Sequence, residues 1–319
     1  MIESKGGRHL TIALGILAHG GAVIAADREQ SDRTLKTDQA KIRGQWVAGR
    51  GSLAVSGAGN GPYLDSLTAE LIEWFKNDQV QFDPKKFGEE LRTKNHAFYE
   101  SSVLPFAPYQ EEVNYELLTC FAPSLTAGEI RFASKLGLMP QKECELWTSH
   151  KLSVVKEEYY AAVGCGATTA KALLARCWVP FIPLPVAINL ACYVVYHVKR
   201  TVKDVGLDTD VMVFSGGIPM ALSRDEITEM EAQFEEYGRI ERENLYYCLG
   251  GDLKEHEELF GKPGDHKRIQ KSLRKFFEKL NAKRVKRWTP KPPIPANTVQ
   301  SVPQKSKPED SIRPEILAP

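Results

Sequence analysis

TIALGILAHGGAVIAAD, residues 11–27, is the stretch on which the fold turns. Residues 11–17 (TIALGIL) and 22–26 (AVIAA) are apolar runs separated by Ala18-His19-Gly20-Gly21. Two apolar runs joined by a short Gly-bearing loop predict a β-hairpin. Neither run alternates apolar with polar residues, so both strands are expected to be covered on both faces.

Working outward, strands are predicted around 38–43 and 46–56. The second runs into Gly57-Ala58-Gly59-Asn60-Gly61-Pro62. Pro62 suits the first turn of a helix, and apolar residues from Tyr63 to Phe75 recur at helical spacing. Asp83-Pro84 predicts an N-cap and first position of a second helix running to about Ser102. Hairpins are expected at 114–121 with 128–135 and at 143–149 with 152–156. A strand at 158–163 leads through Gly164-Cys165-Gly166 into a helix, and Pro180, Pro183 and Pro185 separate it from a long helix, 186–203. Residues 209–214 form a last strand, closed by Gly216-Gly217. Helices come in pairs between blocks of strands, which argues for an α+β arrangement of stacked antiparallel sheets with helices outside, and against a doubly wound parallel sheet.

The chain has 319 residues, 42% hydrophobic and 26% charged, with a net charge of +1. No global field points to nucleic acid or a membrane surface, no apolar run is long enough for a bilayer, and MIESKGGRHL lacks a signal peptide's apolar stretch. A cytoplasmic protein is therefore expected. Cys120, Cys144, Cys165, Cys177, Cys192 and Cys248 include no C-x-x-C pair, so they read as reduced thiols buried as small apolar residues rather than as metal ligands. His256-Glu257-Glu258 begins like a zincin motif but fails at Phe260. No metal and no cofactor are implied. Residues 222–287 are rich in Glu, Lys and Arg and read as an exposed, charged helical extension. The Pro-rich residues 288–319 carry too few apolar groups to offset their ordering entropy and read as a disordered tail.

Three segments carry a resemblance to the proteasome family. Residues 11–27 resemble the start of a mature proteasome β subunit, with Thr first and Asp closing the second strand. DQAKI, 38–42, resembles the segment bearing that family's active-site lysine. LAVSGAGNGPYLDSL, 53–67, resembles the strand–Gly–helix junction that follows. AVGCGATTAKALL, 162–174, is a weaker match to a Gly-Ser-Gly turn before a helix. The resemblance implies a four-layer αββα N-terminal-nucleophile (Ntn) hydrolase sandwich over residues 11–221, acting as a threonine peptidase or amidohydrolase on a peptide or protein substrate. It also implies a homo-oligomeric ring, to which an ATP-dependent unfoldase is a possible partner.

Carried over residue by residue, the resemblance makes Thr11 the nucleophile. A Thr hydroxyl needs an adjacent base, and a free N-terminal amine, with an unperturbed pKa of about 7.7–8, can supply it. Lys41 corresponds to the cation that lowers the pKa of hydroxyl and amine, or else is a surface lysine beside Asp38. Asp27 corresponds to the carboxylate that aims the lysine, or else is a turn-starting Asp. Gly57 corresponds to the oxyanion N–H donor, or else serves only the strand-to-helix turn with Gly59 and Gly61. Cys165 stands where the family has Ser. Asp204 corresponds to the second family aspartate, but Val205-Gly206-Leu207 follows it and the nearby Ser is absent.

Leu10 precedes Thr11, where β subunits of the family have a cleavage Gly. Residues 1–10 are therefore a propeptide, a permanent segment, or the product of a misassigned start at a UUG or CUG codon for position 10. A permanent segment locks the Thr11 amine in an amide and leaves a non-catalytic scaffold subunit. A nucleotide-binding protein is the remote alternative. Gly57-x-Gly59-x-Gly61 and Gly164-x-Gly166 both stand between a strand and a helix, but neither fits G-x-G-x-x-G or a P-loop.

Overall fold

The computed structural model describes residues 11–31, 36–77, 82–105, 114–125, 129, 143–203, 205–215 and 217–248, with positions 271, 275 and 278. Residues 1–10, Asp204, the expected strand at 128–135 (save Glu129) and the Pro-rich tail lie outside the described residues.

Two five-stranded antiparallel sheets stack between layers of helices. The first sheet has the order β10-β1-β2-β11-β12, with β1 at Ile12–Ala18, β2 at Gly21–Asp27, β10 at Tyr160–Gly164, β11 at Thr209–Ser215 and β12 at Ile218–Ala221. The second has the order β5-β6-β7-β8-β9, with β5 at Arg43–Val47, β6 at Gly51–Gly59, β7 at Tyr115–Pro123, β8 at Glu145–His150 and β9 at Ser153–Glu157. A small ribbon pairs β3 (Glu29–Ser31) with β4 (Lys36–Asp38). Helices α1 (Gly61–Lys76) and α2 (Phe87–Phe98) cover the second sheet; α3 (Ala167–Cys177), α4 (Leu184–Thr201) and α5 (Arg224–Cys248) cover the first.

This layering explains the unbroken apolar runs of the first hairpin. Ile12, Leu14, Ile16, Val23 and Ala25 point into the core shared with α3 and α4. Their neighbours Ala13, Ala22, Ile24 and Ala26 point into the seam between the sheets, against Ala54, Leu118, Cys120 and Leu146. The seam mixes small residues such as Ala13, Ala22, Ala26 and Ala54 with larger ones such as Ile24, Leu118, Leu146 and Phe214. On the far side, Leu53, Val55, Leu117 and Phe121 pack with Phe75 and Phe87 under α1 and α2. Phe87 and Phe121 stack with ring centroids 4.4 Å apart.

The expected helix starts hold. Pro62 falls in the first turn of α1 after Asn60. Asp83 accepts the Lys85 N–H at 3.0 Å, although Pro84–Lys86 is a 3-10 turn and the α-helix proper begins at Phe87. Two strand expectations need correction. Residues 39–42 are irregular, so the strand expected at 38–43 is divided between β4 and β5. The strand expected at 46–56 is divided by a turn containing Gly49, whose φ of 78° is a left-handed conformation that favours glycine. The charged segment after 222 is likewise not solvated all round. Ile227, Met230 and Phe234 of α5 are buried in the core beside α4, and Phe234 lies 5.5 Å from the Tyr193 ring and 5.9 Å from Tyr196.

Candidate active site

Thr11 stands at the start of β1, one residue before the register with β10 begins at Ile12↔Gly164. Gly164 has φ of 97°, and a side chain there would meet the Thr11 carbonyl oxygen at 2.2 Å. A glycine is thus what lets β10 and the following turn pass close to Thr11.

The neighbouring strand ends at Asp27, which is fully buried. Its Oδ1 accepts the Ile12 N–H at 2.9 Å and the Thr11 hydroxyl. Gly206 N–H reaches Oδ2 at 3.4 Å. A buried carboxylate needs such donors, because an unpaired one would be strongly penalised by desolvation. Lys41 arrives from the irregular segment between β4 and β5. Its ammonium uses all three protons: one to Thr11 Oγ1, one to the Glu29 carbonyl, and one to Asp27 Oδ1 at 2.9 Å. Burial pushes the Lys41 pKa down from its ordinary value of 10.5, and Asp27 beside it pulls the other way. Thr11 Oγ1 therefore sits between a carboxylate that accepts its hydrogen bond and a cation that donates to its lone pair.

Beside Thr11 opens a cleft of about 80 Å³, lined also by Glu29, Lys41, Gly57, Gly59 and Leu64. Gly57 belongs to β6, and a methyl group there would meet the Glu116 carbonyl at 2.6 Å and Leu64 at 2.7 Å. Strand β5 pairs with β6 only as far as Arg43↔Val55. Beyond that point Ser56–Gly59 is paired to β7 alone among the described strands, leaving an open strand edge at the cleft. Cys165 Sγ donates to the Thr11 carbonyl at 3.5 Å, and partial burial raises its thiol above the ordinary 9.0.

Thr11, Asp27, Lys41, Gly57 and Cys165, 154 residues apart in sequence at the extremes, are thus gathered in one place. Asp204 lies outside the described residues. Sequence reasoning missed Gly206, Arg28 and Asp210. Asp210 is on β11 opposite Ala26. It accepts the Lys41 main-chain N–H at 3.2 Å and the Arg28 guanidinium at 2.7 Å. Nothing local marks Asp210, because its proximity to Lys41 follows from β11 pairing with β2. Among the described residues no cluster of His, Cys, Asp and Glu is arranged to hold a metal, and no helix is long and apolar enough to cross a membrane.

No family model and no curated protein matches the chain. Solved structures do. Anbu (ancestral beta-subunit) from Yersinia bercovieri is similar with a TM-score of 0.56 at 14% identity, over 70% of this chain and 94% of that one. An Anbu (Gly-1) mutant from Hyphomicrobium sp. strain MC1 is similar with a TM-score of 0.55 at 13% identity, over 72% and 95%. The fold is therefore proteasome-like, an Ntn-type sandwich. The resemblance to the 20S proteasome β-subunit family is corrected as a statement of kinship: no model of any family matches, and the neighbours are Anbu proteins at an identity that shows fold alone. The matching segments are short strand ends and Gly-rich junctions, which the sandwich itself demands, and they do not carry family membership.

Proposed function

We propose that the protein is an N-terminal-threonine hydrolase that cleaves peptide or other amide bonds through an acyl-enzyme. The observation that carries this reading is the placement of Thr11 Oγ1 between Asp27 and Lys41 at the edge of an open cleft. Thr11 Oγ1 attacks the scissile carbonyl as its proton passes to a base, which gives that proton to the amide nitrogen as the C–N bond breaks and the amine leaves. Water, deprotonated by the same base, then attacks the ester, and the proton returns to Thr11 Oγ1 as the acid departs. The hydroxyl donates its hydrogen bond to Asp27, whose Oδ1 is already engaged by the Ile12 N–H and the Lys41 ammonium. In this reading a free Thr11 amine, with an unperturbed pKa of about 7.7–8, is the base that takes the proton. The reading thus requires loss of residues 1–10, with 11–221 as the hydrolase domain and 222–287 and 288–319 as its extension and tail.

In this reading Lys41 lowers the hydroxyl pKa, and the Gly57 N–H receives the oxyanion, a donor worth about 2.7–4 kcal/mol in comparable enzymes. Cys165 contributes from the turn against the Thr11 carbonyl, and Asp204 is proposed only as the counterpart of the second aspartate. The open edge of Ser56–Gly59 accepts an extended substrate as an added strand. Assembly of copies into a ring, feeding by an ATP-dependent unfoldase and a cytoplasmic setting belong to the same proposal.

The test is hydrolysis of a library of fluorogenic peptides by native protein, with Thr11→Ala and Thr11→Ser. Activity is expected in the wild type, retained in part by Thr11→Ser and abolished by Thr11→Ala. Equal turnover by wild type and Thr11→Ala refutes the role of Thr11, and no turnover by a chain that begins at Thr11 refutes the hydrolase. A chain found with Leu10 still joined to Thr11 supports the non-catalytic scaffold instead.

A further inference from the structure

Lys41 has its ammonium at Thr11 Oγ1, yet residues 39–42 form neither helix nor strand. Their backbone is fixed from outside. Gln39 N–H donates to the Arg28 carbonyl at 3.0 Å, and Lys41 N–H donates to Asp210 Oδ2 at 3.2 Å. The other oxygen, Asp210 Oδ1, takes Arg28 Nη1 at 2.7 Å, while Arg28 Nε reaches Asp38 at 2.6 Å. Arg28 and Asp210 have side chains only 19% and 20% exposed, so their pairing is less screened than a surface ion pair. Strand β11 places Asp210 next to β2, opposite Ala26, within one residue of Asp27. The site carboxylate and the anchor of the lysine are therefore carried by two directly paired strands. The chain of charges then runs outward. Asp38 accepts from Arg224 at the start of α5, and Arg224 also meets Asp208 at 2.7 Å. Those outer members are largely exposed, and such pairs contribute little. The inner pair is the part that fixes the loop.

We infer that Asp210, held in place by Arg28, is the positioning residue for Lys41: it anchors the lysine's backbone and thereby keeps its ammonium between Thr11 and Asp27. The catalytic meaning of this clamp rests on the hydrolase reading above, whereas its geometric effect on Lys41 does not. A carboxylate is the fitting anchor because each of its oxygens serves a different donor, and a hydrogen bond to a charged acceptor is stronger than one between neutral groups. Without Asp210 both the Lys41 N–H and the Arg28 guanidinium lose an acceptor, and nothing else among the described contacts holds the Lys41 backbone.

The experiment follows the titration of Lys41 by NMR in full-length protein labelled with 13Cε-lysine, the signal assigned with Lys41→Arg. In the wild type, Lys41 titrates below the ordinary 10.5 because it is buried. In Asp210→Ala the released side chain reaches solvent, and its titration moves up to the ordinary value. Asp210→Asn keeps an oxygen for the Lys41 N–H but loses the charge that holds Arg28, and gives a smaller upward shift. With a peptide that the wild type hydrolyses, Asp210→Ala is expected to lower kcat about tenfold, the factor for losing one charge-assisted hydrogen bond, and to leave KM within about twofold. A general loss of structure would instead lower the fraction of folded protein in the same spectra. Lys41 titrating as in the wild type in folded Asp210→Ala overturns the inference. If that variant does not fold, wild-type titration in Asp210→Asn overturns it equally. An upward shift in a protein whose wild type hydrolyses nothing leaves the clamp standing and removes the hydrolase. Intact hydrolysis with an unmoved Lys41 removes the clamp alone.

Discussion

Replacing Asp27 by alanine tests whether the centre of the site is an electrostatic assembly or merely a packed corner. Asp27 is fully buried and is the acceptor for Thr11 Oγ1, Ile12 N–H and Lys41 Nζ. Its loss leaves the Lys41 ammonium, with a side chain only 13% exposed, without its ion-pair partner, although the charge of Glu29 still acts on it. Removing one partner of a buried ion pair costs about 3–5 kcal/mol. For a domain of this size each kcal/mol lowers Tm by about 2–4 °C, so the melting point is expected to fall by roughly 6–20 °C at pH 7. The deficit depends on pH in a defined direction. Burial already lowers the Lys41 pKa and Asp27 raises it, so deleting Asp27 lowers it further. A folded-state pKa below the unfolded one means that stability is lost as pH falls through the folded value, and that the penalty vanishes above the unfolded value. The difference between Asp27→Ala and wild type should therefore be largest at neutral pH. Near pH 10.5 it should shrink to about 1–3 kcal/mol, for the acceptors that Ile12 N–H and Thr11 have lost. Adding Lys41→Met should recover most of the neutral-pH loss. Urea denaturation of the wild type and the single and double variants at both pH values measures this. A deficit equal at the two pH values and untouched by Lys41→Met would refute the electrostatic account.

Three further outcomes are expected. Gly57→Ala should cost about 1–3 kcal/mol by thermal denaturation, because its methyl group meets the Glu116 carbonyl, which cannot yield as a side-chain tip can; an unchanged Tm would mean that the β6–β7 spacing is looser than described. Phe234→Ala should cost about 3–5 kcal/mol, since the ring is buried against α4; a loss under about 1 kcal/mol would make α5 a detachable appendage. Arg50→Ala should cost about 1.5–3 kcal/mol in chemical denaturation, because the guanidinium closes the end of α1 through the carbonyls of Phe75 at 3.1 Å and Asn77 at 2.6 Å; no change would show that water replaces it freely.

Much of this arrangement was legible in the chain, for physical reasons. The hairpin of 11–27 reads directly because both faces of its strands are covered, which puts apolar residues on both faces of each strand. The Gly57–Pro62 junction reads because a Pro suits the first turn of a helix and a glycine is demanded where β6 passes the Glu116 carbonyl. Thr11, Asp27 and Lys41 could be nominated from short segments near one another in sequence. The rest depends on pairings that only the whole topology creates. Asp210 is 169 residues from Lys41 and looks like any strand-end acid until β11 joins β2. The charged composition of α5 concealed Ile227, Met230 and Phe234, a sparse apolar stripe sufficient to seat one face on the core. The lysine segment read as a strand, but its backbone is held by Asp210 and the Arg28 carbonyl rather than by a ladder.

The central claim is that Thr11 acts as a nucleophile with its own amine as base. Intact mass and N-terminal sequencing of the protein purified from its own host test it most directly. The account predicts a chain that begins at Thr11, with residues 1–10 gone and the amine free. A chain in which Leu10 remains joined to Thr11 would contradict it: the sandwich and its buried Thr11–Asp27–Lys41 cluster would then stand as a scaffold without the base that the chemistry needs.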